Sequence, residues 1–310
     1  MFIDKINIKN YIYFVDIAII RGGVEMSSCN SCPSNGSCNK EQSSCLVENN
    51  PLNKIKKIVG VMSGKGGVGK STVSALIAKN LAKQGYKVGV LDADITGPSI
   101  PRLLGVDKQR ARATEEFIYP AVTKDGIKVM SLNLLIENEE EPVIWRGAMV
   151  SNAVKQFYTD VLWEELDYLI IDMPPGTGDV ALTVMQSIPI NGIVMVTVPQ
   201  DMVSMIVTKA VHMVQKLDID VIGVVENMSY ITCPDCGKKI QIFNGQNNRK
   251  FLDDMNLELL GQLPMNSGIG NVSIGIYKDG DEEVEGLFNP IVINMVKSLE
   301  KKEKEVSNVF

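Results

Sequence analysis

The nine residues 64–72, GKGGVGKST, constrain this chain more than any other stretch. Glycines at Gly64 and Gly69, followed directly by Lys70 and Ser71, have the spacing of a phosphate-binding loop. An apolar run at 57–62 precedes them, and apolar residues at helical spacing follow over 71–84 with Gly85 as a stop. The loop therefore lies between an expected strand and an expected helix. Gly64, Gly66, Gly67 and Gly69, with Val68 among them, let backbone amides close around phosphate oxygens. The helix beginning near Ser71 turns its positive end toward the same oxygens. Lys70 supplies a point charge, and the Ser71 hydroxyl is a ligand for Mg2+.

The chain beyond the loop repeats the alternation of strand and helix. A buried strand is expected at 87–91, and its end carries Asp92 and Asp94, where open parallel sheets put ligand chemistry. Two carboxylates there can orient an attacking water and organise Mg2+, although acidic residues also favour turns. Further strands are expected at 127–132 and 168–171, with a helix over about 149–162 between them. The second strand ends in Asp172, an acid placed to anchor Mg2+ through water. The run MPPGTGD after it suits a switch loop that senses a terminal phosphate. Strands at 192–198 and 221–225 flank a helix over 203–216, and after an apolar run at 257–263 comes a helix over about 289–305. The alternation predicts an α/β fold, a P-loop nucleotide hydrolase with a mainly parallel sheet covered by helices on both faces. His212, the only histidine, falls inside a helix and has no second histidine with which to form a dyad.

At 310 residues and 45% apolar content, the chain suits one large domain with small attachments. The expected division is 1–25, a cysteine-rich flexible arm at 26–53, and the α/β domain at 54–305 with an insertion at 230–243. Basic residues number 31 and acidic ones 37, which disfavours nonspecific binding to a nucleic-acid backbone. The most apolar stretch, at 11–20, is interrupted by Asp16 and is too short to span a bilayer. The charged end of the last helix reads as a solvated face. The expectation is a cytoplasmic protein that engages neither nucleic acid nor membrane. Arg21, Gly22 and Gly23 can be encoded by a purine-rich run resembling a ribosome-binding site, so translation is expected to start at Met26.

Six cysteines fall into two groups. Cys29, Cys32, Cys38 and Cys45 lie in a polar segment that cannot build a core of its own. Cys29 and Cys32 are spaced to face one metal ion or cluster, with zinc or reduced thiols as alternatives. Cys233 and Cys236 form a Cys-x-x-Cys turn, CPDCG, which supplies half of a four-coordinate site. A symmetric dimer would bring an identical pair to the two-fold axis, giving four thiolates for one 4Fe-4S cluster or one zinc. Dithiol redox chemistry is the other reading, though Pro234 and Gly237 favour a metal knuckle over the start of a helix.

Taken together, these blocks resemble the Mrp, or ApbC-type, iron-sulfur cluster carrier ATPases within the MinD and ParA class. The resemblance covers roughly 55–295 and rests on GKGGVGKST, DADITGPSIPRLLG from Asp92, VIWRG from Val143, LDYLIIDMPPGTGD from Leu166, PQD from Pro199, ENMSY from Glu226 and CPDCG. It implies that Lys65, otherwise a solvated lysine, reaches across a dimer to the partner's nucleotide. It implies ATP and Mg2+ as ligands, Lys70 and Thr72 on phosphates, Ser71 on Mg2+, Asp94 positioning water and Asp172 holding Mg2+ indirectly. Asn227 is matched to adenine recognition. Cys233 and Cys236 are matched to a bridging 4Fe-4S cluster, and Cys29, Cys32 and Cys38 to the family's cysteine-rich start, with Cys45 departing from that pattern. The implied activity is slow ATP hydrolysis by a homodimer that takes clusters from an assembly scaffold to apo-proteins. A spatial regulator like MinD or ParA, or a zinc-stabilised nucleotide hydrolase, are the alternatives.

Overall fold

The computed structural model describes residues 46–95, 97–114, 116–136, 147–199, 201–241, 252–273 and 282–307. The expectations for 1–25, for the start at Met26 and for Cys29, Cys32, Cys38 and Cys45 lie outside the described residues.

Strand β1 (Lys54–Ser63) begins with alternating exposed and half-buried residues and then buries every position from Ile58 onward. β2 (Val88–Asp92) and β8 (Gly192–Thr197) are buried at every residue. Successive side chains of a strand point to opposite faces, so complete burial means that both faces of the sheet are covered. Among the described residues the sheet has nine strands in the order β10, β9, β8, β1, β7, β2, β6, β5, with β11 joined to β9. Here β5 is Ala121–Val122, β6 Lys128–Met130, β7 Glu165–Asp172, β9 Val221–Thr232, β10 Lys239–Gln241 and β11 Leu259–Pro264. The inner strands run parallel, and the short β5 and β10 at the two ends are antiparallel. A separate two-stranded ribbon pairs β3 (Arg112–Ala113) with β4 (Ile118–Tyr119).

Helix α1 (Lys70–Lys83) follows β1 through the phosphate loop and packs against α7 (Glu282–Ser307). A short α2 (Ile100–Leu103) follows β2, and α3 (Gly147–Thr159) packs on α4 (Asp179–Ser187). Helix α5 (Asp201–Lys216) joins β8 to β9, and α6 (Ser267–Ser273) follows β11. Trp163, Phe288, Met62, Ile77 and Leu81 are among the largest fully buried side chains. Burying a side chain of this size contributes roughly 1.5–3 kcal/mol, which makes this core the main stabilising term.

The elements differ from expectation in three places. The helix expected to 162 stops at Thr159 because Val161 bridges to Ile118, with Leu162 N–H donating to the Ile118 carbonyl at 2.8 Å. The last helix starts seven residues early and carries Pro290 in its interior, although proline is best tolerated in a first turn. β9 continues through polar residues to Thr232, well past the apolar run that marked its start.

Candidate functional site

The phosphate loop begins where β1 ends, in the middle of the sheet between β7 and β8. Gly67 and Gly69 adopt left-handed φ values of 78° and 84°, which side chains other than glycine resist. No atom lies within 4 Å of where a Cβ on Gly66 or Gly67 would stand, so the loop presents backbone to open space. The N-terminus of α1 follows at once, and its first-turn N–H groups and dipole face the same place.

Four of the residues singled out from the sequence converge at the base of this loop. Lys70 Nζ lies 2.8 Å from Asp172 Oδ2 and 3.6 Å from Asp94 Oδ2. Ser71 Oγ donates to Asp172 Oδ2 at 2.6 Å. Asp172 is fully buried and Lys70 is 6% exposed, so this ion pair is largely shielded from water. A lone buried carboxylate is costly, and here it is offset by an ammonium and two hydroxyls. The second hydroxyl is Ser74 Oγ, 2.7 Å from Asp172 Oδ1 and 3.0 Å from the Lys70 carbonyl. Ser74 was not anticipated. Its signal was its spacing, four residues after Lys70 on the same helical face.

Asp92 and Asp94 take different positions. Asp92 is buried and accepts from Ser131 Oγ at 3.0 Å, from Asp94 N–H at 3.2 Å and from Ile100 N–H at 3.4 Å. Burial, and then the charge of Asp172, push its carboxyl well above the ordinary carboxylate value. Asp92 thus braces the turn after β2, whereas Asp94 faces Lys70. Of the two carboxylates expected at the end of β2, Asp94 therefore stands beside the Lys70 ammonium and Asp92 is bound into the turn. The segment after Asp172 lies against the loop, with Met173 N–H donating to the Val61 carbonyl at 3.0 Å and Gly176 N–H to the Ser63 carbonyl at 2.8 Å.

Lys65 is half-buried on the loop and Thr72 is buried in the first turn of α1. Asn227 is 3% exposed, and its Nδ2 donates to the Val68 carbonyl at 2.9 Å while its Oδ1 accepts from Met228 N–H at 3.0 Å. A primary amide has two N–H donors and two lone pairs, so a donor and a lone pair are left over for a further partner. His212 is exposed on α5.

Cys233 and Cys236 sit in the turn between β9 and β10. Cys233 N–H donates to the Lys238 carbonyl at 3.0 Å, Gly237 N–H to the Cys233 carbonyl at 2.9 Å, and Gly237 takes φ 68°. The N–H groups of Cys236 and then Asp235 point at the Cys233 thiol and hold its pKa below the ordinary value, an arrangement that favours thiolate. Cys233 is half-exposed, Cys236 exposed, and neither forms a disulfide. Among the described residues no three His, Cys, Asp or Glu side chains gather around one metal position, so this turn offers two ligands.

The donor set at the loop fits a nucleotide with Mg2+. Ser71 and Asp172 are hard oxygen donors in contact with one another, Lys70 Nζ lies 2.8 Å from Asp172, and Gly66 and Gly67 leave the loop open on the side where a Cβ would stand. No described helix is long and apolar enough to cross a membrane.

Comparison with known proteins agrees with this geometry. The NUBPL iron-transfer P-loop NTPase family, of the ParA group, matches residues 54–296. An iron-sulfur cluster carrier protein from Clostridium perfringens is 51% identical over 245 residues, covering 77% of this chain and 85% of its own. A protein of the same name from Methanocaldococcus jannaschii is 47% identical over 244 residues, covering 76% of this chain and 83% of its own. A nucleotide-binding protein from Archaeoglobus fulgidus, solved in complex with ADP, is 41% identical, covers 73% of this chain and 88% of that one, and has a TM-score of 0.64. MinD from Aquifex aeolicus, at 18% identity and a TM-score of 0.56, shares the fold over 78% of this chain and 97% of its own. This chain belongs to the NUBPL iron-transfer P-loop NTPases, a family of iron-sulfur cluster carriers built on the MinD and ParA fold.

Proposed function

We propose that the protein binds and slowly hydrolyses ATP, and that as a homodimer it holds a 4Fe-4S cluster between two copies of Cys233 and Cys236 for delivery to apo-proteins. The observation that carries this reading is the convergence of Lys70, Ser71, Asp94 and Asp172 at one loop, in a chain whose strand β9 touches that loop through Asn227 and ends beside the turn that holds Cys233 and Cys236.

In this reading Gly64, Gly66, Gly67, Val68 and Gly69 direct backbone N–H groups at the phosphates, and Lys70 and Thr72 add a charge and a hydroxyl. Ser71 and Asp172 hold Mg2+, which when bound neutralises charge on the phosphate oxygens. Asp94 orients a water in line with the terminal phosphate, Lys65 reaches the partner subunit's nucleotide, and Asn227 meets the adenine edge. Delivery is a ligand exchange, in which thiolates of the recipient displace those of Cys233 and Cys236 and the cluster keeps its electrons. An assembly scaffold supplies the cluster, and the cytoplasm is the compartment where such thiols stay reduced.

Anaerobic reconstitution with iron and sulfide, followed by visible absorption, metal analysis and sizing, tests the reading. About four irons per dimer are expected, lost in Cys233→Ala and in Cys236→Ala while ATP binding persists. Tightly held zinc without a cluster chromophore, or unchanged cluster content in both variants, would overturn the bridging carrier.

A further inference from the structure

Strand β9 touches the phosphate loop through Asn227 and ends at the thiol turn, and it is irregular at one place between the two. β9 pairs in parallel with β8 as far as Thr197 opposite Glu226. Its next partners are Pro264 and Gln241, both opposite Tyr230. Gln262 stands opposite Glu226 and Pro264 opposite Tyr230, so β9 spends four steps where β11 spends two. The extra residues form a bulge at Asn227, Met228 and Ser229. Its centre, Met228, has φ 54°, a left-handed conformation that a methionine adopts at a cost of about 1–2 kcal/mol. Bulges of this kind re-aim side chains and bend the strand beyond them.

Here the re-aimed side chain is Asn227, whose amide is hydrogen-bonded to Val68 of the loop at 2.9 Å. A Cβ on Gly69 would lie 2.3 Å from the same amide nitrogen, so loop and bulge are in direct contact. The surroundings hold the strained turn in place: Ser229 Oγ donates to the Glu226 carbonyl at 3.1 Å, and Gln262 Nε2 to the Glu226 carboxylate at 2.6 Å. Past the bulge, β9 leaves β8 and continues as a ribbon with β10, where Ile231 faces Ile240 and Thr232 faces Lys239. Cys233 follows directly.

We infer that this bulge is the joint through which the state of the phosphate loop is passed to Cys233 and Cys236, with Met228 as the positioning residue that keeps Asn227 on the loop. The inference rests on the reading of the loop as a nucleotide seat and of the turn as a cluster-ligand pair. Movement of Val68 or Gly69 on nucleotide binding displaces the Asn227 amide. The bulge is the point where β9 is no longer held by β8, so the displacement turns the ribbon rather than the sheet. Backbone geometry at Met228 sets the sign of the test: asparagine tolerates the left-handed region, and β-branched valine does not.

The experiment measures alkylation rates of Cys233 and Cys236 by peptide mass spectrometry in the full-length reduced protein, with and without a saturating Mg2+ complex of a non-hydrolysable ATP analogue. Nucleotide occupancy is followed separately by fluorescence of a labelled ADP. In the wild type the analogue should change both alkylation rates at least twofold. Met228→Asn should keep that change, and Met228→Val should lose most of it at full nucleotide occupancy. Should Met228→Val fail to fold, Asn227→Ala at saturating nucleotide replaces it, with the same loss expected. A purely structural bulge would lower thermal stability in these variants and leave the nucleotide effect on the thiols intact, which overturns the inference. Bound nucleotide without any effect on wild-type thiols also overturns it and leaves the proposed function standing. Absence of nucleotide binding in the wild type overturns both.

Discussion

At the scale of single residues, two glycines of the loop separate conformational cost from contact cost. Gly67 and Gly69 have nearly the same φ, 78° and 84°, but a Cβ would meet nothing within 4 Å at Gly67 and the Asn227 amide at 2.3 Å at Gly69. Gly67→Ala therefore costs about 1 kcal/mol for the left-handed backbone alone. Gly69→Ala adds displacement of Asn227 and loss of its hydrogen bond to Val68, about 2–3 kcal/mol together. For a domain of this size the melting temperature should fall by roughly 2–4 °C in the first variant and by roughly 5–10 °C in the second. Equal falls would show that Asn227 yields freely and does not clamp the loop. The same contrast explains what could be read in advance. Lys70, Ser71, Asp94 and Asp172 were legible because their chemistry is tied to fixed spacing after glycines or after an apolar strand. The bracing hydroxyls of Ser74 and Ser131 were not: Ser74 carried only its four-residue spacing from Lys70, and a serine in a loop carries no sign of which carboxylate it will meet.

At the scale of elements, the strand ends opposite the site are tied by Asp167 of the inner strand β7. It accepts from Lys56 Nζ of β1 at 2.8 Å and from the N–H of Lys87, just before β2, at 2.8 Å. Lys56 first, then the Lys87 N–H, hold the Asp167 carboxyl below its ordinary 3.8. The charged form is favoured by the fold, so the contribution is complete above the unfolded value and is lost as pH falls through the lower folded value. Lys56 is 64% exposed, and solvent screening keeps the effect small. Asp167→Asn should lower the urea midpoint by a constant amount between about pH 8 and pH 5, with the difference closing below 3.8. A difference that persists under acid conditions would assign the effect to packing. The strands themselves were legible from their unbroken apolar runs, a direct result of burial on both faces. The short α2, β3, β4 and β5 were not, since two to four residues cannot show a period. The bulge in β9 was hidden for a different reason: Glu226, Asn227 and Ser229 interrupt the apolar run and read as the end of a strand, while the structure carries the chain on to Thr232.

At the scale of the whole molecule, the two-ligand turn makes assembly part of the chemistry. Among the described residues one chain offers Cys233 and Cys236 on a hairpin, and a 4Fe-4S cluster, which takes one thiolate on each iron, needs two more. If these come from a second copy, the loaded state is a dimer, and its stability contains a concentration term that the cluster-free chain lacks. A tenfold rise in protein concentration then adds about 1.4 kcal/mol per dimer, or about 0.7 kcal/mol per chain. That corresponds to a rise of about 2 °C in the melting temperature of the loaded protein for each tenfold step. Differential scanning calorimetry under nitrogen, over a hundredfold range of concentration, should give this slope with cluster and none after its removal by a chelator. A loaded protein whose melting temperature is independent of concentration would mean that all four ligands come from one chain. The cysteine-rich segment containing Cys29, Cys32 and Cys38 would then be the source of the remaining thiolates, and its substitution by alanine, rather than dilution, would release the cluster.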